Sequence, residues 1–203
     1  FVISNKGVYK TTDKGFQWHS TSAPYENLTY NSLYVSPDGK DVLVGACKGK
    51  FILENIVILY SNDYGETWNN ASIDYIRGDQ IMNIVNYKNK LYALTSRGKI
   101  YSSNNSGKHW FNSNNLDGQY FNSLCCSNDK MYLVSNNRNK SYIKISKTQG
   151  IMWSNFQKIN RAYSLIVSKN HQNFVYVNYD KPNYNIYVSK SYGKVWKKTL
   201  TLK

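Results

Sequence analysis

The sequence predicts an all-β protein, specifically a β-propeller with five blades of four short antiparallel strands. Tyrosine supplies 19 of the 203 residues and aromatic side chains 15%, and these residues favour pleated, half-buried strands. Helical periodicity appears nowhere at useful length. A glycine followed three positions later by tryptophan recurs through the chain, and these glycines are separated by 50, 42, 43 and 43 residues. Repeats of this length built from short strands are typical of propeller blades.

The recurring turn is best preserved at residues 60–68, where it reads S-x-D-x-G-x-T-W from Ser61 to Trp68. All five tryptophans of the chain follow one of these glycines at the same distance. Three copies have aspartate or asparagine at the third position, whereas Thr148 and Ser191 offer only a hydroxyl there. The recurring positions are Asp13, Gly15, Trp18, Asp63, Gly65, Trp68, Asn105, Gly107, Trp110, Gly150, Trp153, Gly193 and Trp196.

This pattern resembles the Asp-box (BNR) repeat of sialidases, sortilin-type receptors, some glycoside hydrolases and photosystem assembly factors. The resemblance covers nearly the whole chain. It implies that each copy is a turn between the third and fourth strands of a blade, whose short polar side chain caps backbone N–H groups and whose tryptophan packs between blades. A structural role for the boxes follows, and Asp63 is a poor candidate for a catalytic acid. Function stays open, because one repeat serves enzymes, receptors and scaffolds.

The repeats predict one domain over residues 1–203, with blade 1 incomplete at 1–24. The further blades are expected at about 25–74, 75–117, 118–159 and 160–203. Residues 1–4 and 7–10 predict the second and third strands of blade 1, which leaves its innermost strand missing. The alternative is that the chain is part of a propeller with six or more blades. Extra length in the second repeat falls at residues 48–57, as a loop or an extended hairpin.

The formal charge of +14 comes mostly from lysine. It indicates either a solvated lysine surface or a partner that is acidic, such as a sulfated or sialylated glycan. No block of consecutive basic residues points to nucleic acid.

Cys47, Cys125 and Cys126 are expected to be free thiols, and no spacing predicts a metal site or a cofactor. No apolar run is long enough for a transmembrane helix. The compartment is left open, with an extracellular, cell-surface or virion-associated location as the expectation.

Basic and aromatic residues gather in one class of loop. In Asp-box propellers, ligands bind on the face opposite the boxes, which is built from second-to-third-strand loops and blade-to-blade connections. The resemblance places all four arginines of the chain on that face, where guanidinium groups suit carboxylate, sulfate or phosphate. The alternative is that they are merely solvated. The candidate ligand residues are Arg77, Arg97, Arg138, Arg161, Tyr75, Tyr179 and Lys50, with Lys48, Lys140, Lys181, Tyr120 and Tyr184 near the same rim.

An enzymatic function is the alternative. A sialidase needs an arginine triad, and Arg77, Arg97 and Arg138 could form one beside Glu54 and Asp79, but no motif assigns those roles. The F-R-I-P stretch of that family is absent, and residues 1–4 carry no arginine. Few carboxylates remain to form a hydrolase pair. The sequence therefore favours a non-catalytic binding module for an acidic glycan or a protein partner, over a sialidase-like hydrolase or a fragment of a sortilin-like receptor.

Overall fold

The computed structural model describes residues 1–21, 23, 28–48, 56–74, 78–116, 120–137, 140–170, 172–180 and 182–202. None of these residues lies in a helix, and the strands form five antiparallel sheets, numbered here as blades 1 to 5 in chain order. The predicted all-β propeller with five blades is confirmed. Among the described residues, blades 2 to 5 have four strands each and blade 1 has three. The single-domain assignment over 1–203 stays a prediction.

Each blade is a simple meander, in which strands adjacent in sequence are adjacent in the sheet. Blade 1 contains β1 (Val2–Ser4), β2 (Gly7–Lys10) and β3 (His19–Ser20). Blade 2 contains β4 (Leu28–Val35), β5 (Val42–Lys48), β6 (Ile56–Ser61) and β7 (Asn69–Asn70). Blade 3 contains β8 (Ile81–Tyr87), β9 (Lys90–Thr95), β10 (Lys99–Ser103) and β11 (Phe111–Asn115). Blade 4 contains β12 (Tyr120–Cys126), β13 (Met131–Asn137), β14 (Lys140–Ser146) and β15 (Ser154–Asn160). Blade 5 contains β16 (Ala162–Val167), β17 (Phe174–Asp180), β18 (Asn183–Ser189) and β19 (Lys197–Leu202).

Burial falls from the middle of a blade to its outer strand. The second strands β5, β9 and β13 are almost wholly buried, and their composition is correspondingly aliphatic. The outermost strands β11 and β19 are exposed and polar or mixed. The extra length of the second repeat begins in β5 and ends in β6, and residues 49–55 between them lie outside the described residues.

The chain divides into two compact units. Unit 1 comprises residues 1–84, 90–95 and 101–112, and unit 2 comprises 85–89, 96–100 and 113–203. The core of unit 1 contains two clusters, one around Leu43, Ile81 and Trp110 and one around Val44, Leu59 and Trp68. The core of unit 2 is built around Tyr132, Leu165 and Phe174.

In unit 1, blade 2 contacts blade 3 at two adjacent points. The Ile81 side chain packs closely on Gly45, and a serine hydroxyl accepts a backbone hydrogen bond. A Cβ on Gly45 would lie 2.4 Å from the Cγ2 of Ile81, so only glycine fits beneath that side chain. The hydroxyl of Ser32, which pairs across the sheet with Gly45, accepts the backbone N–H of Ile84 at 2.9 Å. Blade 2 therefore binds the innermost strand of blade 3 through both packing and backbone recognition.

In unit 2, blade 4 holds blade 5 in the same way. The hydroxyl of Ser123 accepts the N–H of Leu165 at 3.1 Å and lies 3.3 Å from its carbonyl oxygen. The carbonyl oxygen of Ala162 accepts the side-chain amides of Asn122 and Asn136. The N–H of Ala162 donates to the Ser141 hydroxyl at 2.8 Å. The residues of blade 4 thus fix the start of β16 at several points.

Gly45→Ala is expected to lower the free energy of unfolding by about 1–3 kcal/mol, because the new methyl overlaps Ile81. Chemical denaturation would measure the loss. The double variant Gly45→Ala/Ile81→Ala should lose less than the sum of the two single variants, since each change relieves the defect of the other. Additive losses would show that Gly45 acts through its own strand and does not act through the contact with blade 3.

Candidate functional site

The five recurring turns, called the Gly–Trp turns below, share a hydrogen bond from the glycine N–H to a hydroxyl four residues earlier. The acceptor is Ser or Thr at the end of the third strand. The distances are 3.0 Å for Gly15 to Thr11, 2.8 Å for Gly65 to Ser61, 3.1 Å for Gly107 to Ser103, 3.0 Å for Gly150 to Ser146 and 3.1 Å for Gly193 to Ser189. The same hydroxyl lies against the polar side chain two residues on, so both groups are positioned.

That second polar side chain accepts a further backbone N–H in every turn. Asp63 accepts the N–H of Thr67 at 2.9 Å and also the Thr67 hydroxyl. Asp13 and Asn105 accept the equivalent N–H groups. In the two turns without a carboxylate or amide, Thr148 accepts the N–H of Met152 at 2.8 Å and Ser191 that of Val195 at 2.9 Å. A hydroxyl therefore replaces the carboxylate in capping the turn backbone, although it has one oxygen in place of two.

Two successive left-handed residues shape each turn. In the best-preserved copy, Tyr64 has φ 61° and Gly65 has φ 78°. At Gly107 the requirement is also spatial, since a Cβ would lie 2.0 Å from the side chain of Leu43 on blade 2. Glycine is needed there both for its backbone conformation and for the close approach of the neighbouring blade.

The tryptophan closes the turn in four of the five copies, where its indole N–H donates to the carbonyl of the turn glycine at 2.8–3.1 Å. Trp196 differs. Its indole N–H is buried without a hydrogen-bond partner among the described residues, and its ring packs edge-on against Tyr176 and Phe174. Trp110 is 3% exposed, whereas Trp18 is 42% exposed. The same local turn therefore supports tryptophans of very different burial.

These hydrogen bonds keep the turn carboxylates ionised. Donation from the Thr67 hydroxyl and N–H lowers the pKa of Asp63 from 3.8 to about 2. Donation from the Gln17 N–H lowers the pKa of Asp13 in the same direction. A carboxyl held in this state is a poor proton donor near neutral pH.

The predicted ligand residues are only partly within the described chain. Arg97 and Arg161 are exposed, in the β9–β10 turn and in the β15–β16 connection. Arg77, Arg138, Tyr75 and Lys50 lie outside the described residues, as do Glu54 and Lys181. Tyr179 lies in β17, but its side chain is outside the described part. The structure thus gives positions for two of the four arginines.

Hydrogen bonds fix the backbone next to each of the two described arginines. The residues flanking Arg97 are fixed by hydrogen bonds from Phe121 N–H to the Ser96 carbonyl and from Leu116 N–H to the Gly98 carbonyl, each 2.9 Å. Arg161 directly precedes Ala162, whose N–H and carbonyl are held by side chains of blade 4. Antiparallel pairing directs second-to-third-strand loops and blade-to-blade connections to the same end of a blade, opposite the Gly–Trp turns.

Next to Arg161, the register of blade 4 brings two lysines together. Lys140 pairs with Asn160, and Tyr142 pairs with Lys158. Because side chains alternate along a strand, these four residues share one face. Contact with the Lys140 side chain, together with its positive charge, lowers the pKa of Lys158. In the described part of the chain, neither lysine has an ion-pair partner. These four residues and Arg161 are called the basic edge.

Sequence reasoning included Lys140 but missed Lys158 and Asn160. Side-chain alternation places Lys140 and Tyr142 on one face of β14, and Lys158 and Asn160 on one face of β15. Only the cross-strand register shows that these two pairs are neighbours. Exposed aromatic residues lie at the corresponding end of blade 5. Tyr163 and Tyr184 of blade 5 have ring centroids 6.4 Å apart, and both are exposed.

The candidate acid Asp79 of a sialidase site is 2% exposed. Tyr101 is fully buried. Burial, together with the negative charges of Asp74 and Asp79, raises the pKa of Tyr101 to about 12. A raised pKa is the opposite of what a tyrosine nucleophile needs. The described residues contain no group of three or more side chains suited to a metal ion.

The three cysteines are free thiols, with Cys47 buried and the adjacent pair half-buried. Burial raises the pKa of Cys126 to about 12 and that of Cys125 further. Both thiols therefore stay protonated and unreactive at neutral pH. Over the part of the chain that the structure describes, no helix has the length and apolar character needed to cross a membrane.

Trp110→Ala is expected to lower the free energy of unfolding by about 3–5 kcal/mol, because a buried indole and its hydrogen bond are lost. Trp18→Ala removes the same indole-to-glycine hydrogen bond from a half-exposed position and should cost clearly less. Denaturant titration of both variants separates packing from turn closure. Equal losses would mean that the hydrogen bond, which the two turns share, dominates.

Asp63→Asn should reduce the melting temperature at neutral pH and have less effect in acid. The folded-state pKa of Asp63 lies below its ordinary value, so its stabilisation is present above about pH 4 and is lost as pH falls towards 2. The amide retains the acceptor oxygen, as Asn105 does in its own turn. Melting curves of both proteins from pH 6 to pH 2 should converge. A difference that is constant over this range would contradict the assignment.

Solved structures share this fold at low sequence identity. YCF48, in a structure described as YCF48 bound to D1 peptide, gives a TM-score of 0.60 at 14% identity over 95% of this chain and 74% of its own. A chain of a nidogen/laminin complex gives 0.61 at 13% identity over 85% and 65%. The GH74 xyloglucanase from Xanthomonas campestris gives 0.58 at 14% identity over 96% and 42%. This chain therefore spans less than half of that enzyme's length. At these identities the similarity shows the fold alone.

No curated protein matches the sequence of this chain. The DUF6242 beta propeller domain matches residues 51–162, which is more than half of the chain. The matched segment includes all four strands of blades 3 and 4 and the whole of the basic edge. The chain therefore belongs to the DUF6242 beta propeller domain family.

Proposed function

We propose that this propeller is a non-catalytic binding module that recognises an anionic ligand, with the sulfate or carboxylate groups of an acidic glycan as the favoured chemistry. The observation that carries the proposal is the position of Lys140 and Lys158, two exposed lysines that strand register places on one face of blade 4 and that have no ion-pair partner in the described part of the chain. We also propose that the Gly–Trp turns are Asp boxes with a structural role, and that ligands bind at the opposite end of the blades.

Two neighbouring ammonium groups repel each other, and an anion between them removes that repulsion. The lowered pKa of Lys158 is a sign of this unfavourable proximity. A sulfate or carboxylate can accept hydrogen bonds from both ammonium groups, and charge-assisted hydrogen bonds are stronger than neutral ones. Asn160 and Tyr142, on the same face, supply neutral groups for further polar contacts with a ligand.

Arginine and tyrosine extend this surface. Arg161 follows Asn160 directly, and its backbone is fixed because blade 4 holds Ala162. The exposed rings of Tyr163 and Tyr184 offer flat area of the kind that packs on sugars. Arg97 belongs to the same class of loop. Arg77, Arg138, Tyr75, Tyr179 and Lys50 complete the proposed ligand residues.

A protein partner is the second form of the proposal. It is supported by the names of two structural neighbours, one bound to a peptide and one in a protein complex. A sialidase-like hydrolase is supported less, because Asp79 is buried and Tyr101 has a raised pKa. The xyloglucanase neighbour is an enzyme, but its similarity to this chain extends to the fold alone.

The proposal is tested by binding to heparin and to a sialylated glycan at two salt concentrations. Lys140→Glu/Lys158→Glu should weaken binding by about tenfold or more, since two charge-assisted contacts become repulsive. The matched control is Lys169→Glu/Lys194→Glu, which makes the same change in net charge at two other exposed lysines of unit 2. The control should retain most of the affinity, and higher salt should weaken the wild type.

Equal losses in both double variants would reduce the effect to net charge and contradict a defined site. Binding to an acidic peptide in place of either glycan would favour the protein partner. Turnover of a fluorogenic sialoside that disappears in Arg97→Ala would overturn the non-catalytic assignment and favour the hydrolase.

A further inference from the structure

The two units of the chain differ sharply in charge. The sequence of unit 1 has nine basic and nine acidic residues, so its formal charge is zero. The sequence of unit 2 has 17 basic and three acidic residues, which gives it the whole formal charge of +14. Such an asymmetry between two parts of one chain points to a partner with an anionic surface. The basic edge accounts for only three of these 17 positive charges.

Further lysines lie in the Gly–Trp turns of blades 4 and 5. Each of these turns has a lysine directly after the serine that accepts the glycine N–H, and the turn of blade 5 has another directly after its glycine. All three lysines are exposed, and none has an ion-pair partner in the described part of the chain. They are Lys147, Lys190 and Lys194.

Negative charge is scarce at this end of the two blades. Thr148 and Ser191 stand where the turns of blades 1 and 2 have an aspartate, so the group that caps the turn is uncharged. Of the three acidic residues of unit 2, Asp129 lies at this end, in the β12–β13 turn, and its carboxylate is 3.5 Å from the ammonium of the next lysine. Asp180 ends β17 at the opposite end of blade 5, and Asp117 lies outside the described residues. Repulsion towards an anionic surface is therefore small here.

The same two turns present aliphatic side chains at their tips. Ile151 and Met152, which follow the turn glycine of blade 4, are 69% and 66% exposed, and Val195 of blade 5 is 70% exposed. Exposure at these positions is a property of the turn itself, because it is found in blades 2, 3 and 4, each of which has a blade before and after it in the chain. The matching residues of blades 1 to 3 are also exposed, and five of the six are polar: Phe16, Gln17, Glu66, Thr67, Lys108 and His109.

Hydrogen bonds hold the tip of the blade 4 turn in place. Thr148 accepts the N–H of Met152 at 2.8 Å, and its carbonyl oxygen accepts the N–H of Ile151 at 3.2 Å. Asn114 of β11 donates to the carbonyl oxygens of Gly150 and Ile151, at 2.8 and 2.9 Å. Backbone that is already fixed loses little conformational entropy when its side chains enter another environment.

The turns of blades 4 and 5 are linked to each other. A Cβ on Gly193 would lie 3.1 Å from the ring of Phe156, so β15 of blade 4 packs directly on the turn of blade 5. The N–H of Asn128 donates to the carbonyl oxygen of Lys169 at 3.1 Å and joins the first-to-second-strand turns of the two blades at the same end. The exposed basic and apolar residues of both Gly–Trp turns are called the turn end of unit 2: Lys147, Ile151, Met152, Lys190, Tyr192, Lys194 and Val195.

We propose that the turn end of unit 2 docks on the surface of an anionic lipid bilayer. Ile151, Met152 and Val195 enter the headgroup region, and the three lysines pair with phosphate and carboxylate groups of the lipids. Burial of apolar side chains and attraction of lysine to anionic lipids are the two forces that hold a protein on a membrane surface. The proposal is independent of the basic edge, which lies at the other end of the blades and has its own anionic ligand.

The chemistry of the turn end fits a bilayer better than it fits nucleic acid. Single-stranded nucleic acid is bound by stacking on aromatic rings together with arginine, whereas the turn end has lysine without arginine and mainly aliphatic apolar groups. Lysine is a compact charge on a long apolar stem, which suits the boundary between water and lipid. The one aromatic residue of the turn end, Tyr192, is of a type enriched at membrane interfaces.

The test measures cosedimentation of the full chain with phosphatidylcholine vesicles, prepared with and without phosphatidylserine. We expect binding only with phosphatidylserine, and weaker binding at higher salt. Lys147→Glu/Lys194→Glu should weaken binding by about tenfold or more, because two attractive charges become repulsive. The matched control is Lys140→Glu/Lys158→Glu, which makes the same change in net charge at the basic edge and should retain most of the vesicle binding.

A second set of variants tests the apolar tips at constant net charge. Ile151→Ser/Met152→Ser should weaken vesicle binding by about tenfold, because less apolar surface enters the bilayer. Met152→Trp should strengthen it by about threefold, since tryptophan favours the membrane interface. Tyr120→Ser, at an exposed aromatic position at the other end of blade 4, should leave it unchanged. Melting curves establish that each variant is folded, and binding of Ile151→Ser/Met152→Ser to heparin should equal that of the wild type.

Absence of binding to phosphatidylserine vesicles at low salt would overturn the proposal. Equal losses in the two charge-reversal variants would reduce the effect to net charge and also contradict it. Vesicle binding that Ile151→Ser/Met152→Ser leaves unchanged would show adsorption without insertion of the turn tips. Binding to a single-stranded oligonucleotide that Lys147→Glu/Lys194→Glu removes, in a protein that does not bind vesicles, would make nucleic acid the partner of this surface.

Discussion

A hydroxyl that accepts the N–H of a turn glycine recurs in all five blades, and the geometry of each blade edge depends on it. The hydroxyl positions the next polar side chain, which caps a second N–H group beyond the glycine. Together these bonds stabilise two successive left-handed residues that a chain would otherwise avoid. Once the turn is fixed, the tryptophan three positions later donates its indole N–H to the glycine carbonyl in four of the five copies.

The turn also links one blade to another. Gly107 lies against Leu43, and Asn114 donates to the carbonyl oxygens of Gly150 and Ile151. The serine contacts of the innermost strands provide a second link between neighbouring blades in each unit. A repeat protein gains stability from such interfaces between adjacent repeats.

The two ends of a blade differ in the chemistry of their surface groups. At the turns, the carboxylates are engaged in backbone capping and their pKa values are lowered. At the other end, unit 2 presents Arg161 and two adjacent lysines on backbone that blade 4 holds in place. A preorganised cationic group needs little rearrangement to receive an anion. That contrast supports anion binding over proton-transfer chemistry as the proposed function.

The sequence by itself determined the blades and their turns. The hydrogen bonds of a Gly–Trp turn join residues four positions apart, and the turns repeat at a regular spacing along the chain. It also placed Arg97 and Arg161 in the correct class of loop. Only the tertiary structure decided which side chains meet. The pairing of Lys140 with Lys158 depends on strand register, which has no local signal in either strand. The hydrogen bond from the Leu165 N–H to the Ser123 hydroxyl depends on how blade 5 packs on blade 4, since the two residues are 42 positions apart in the sequence.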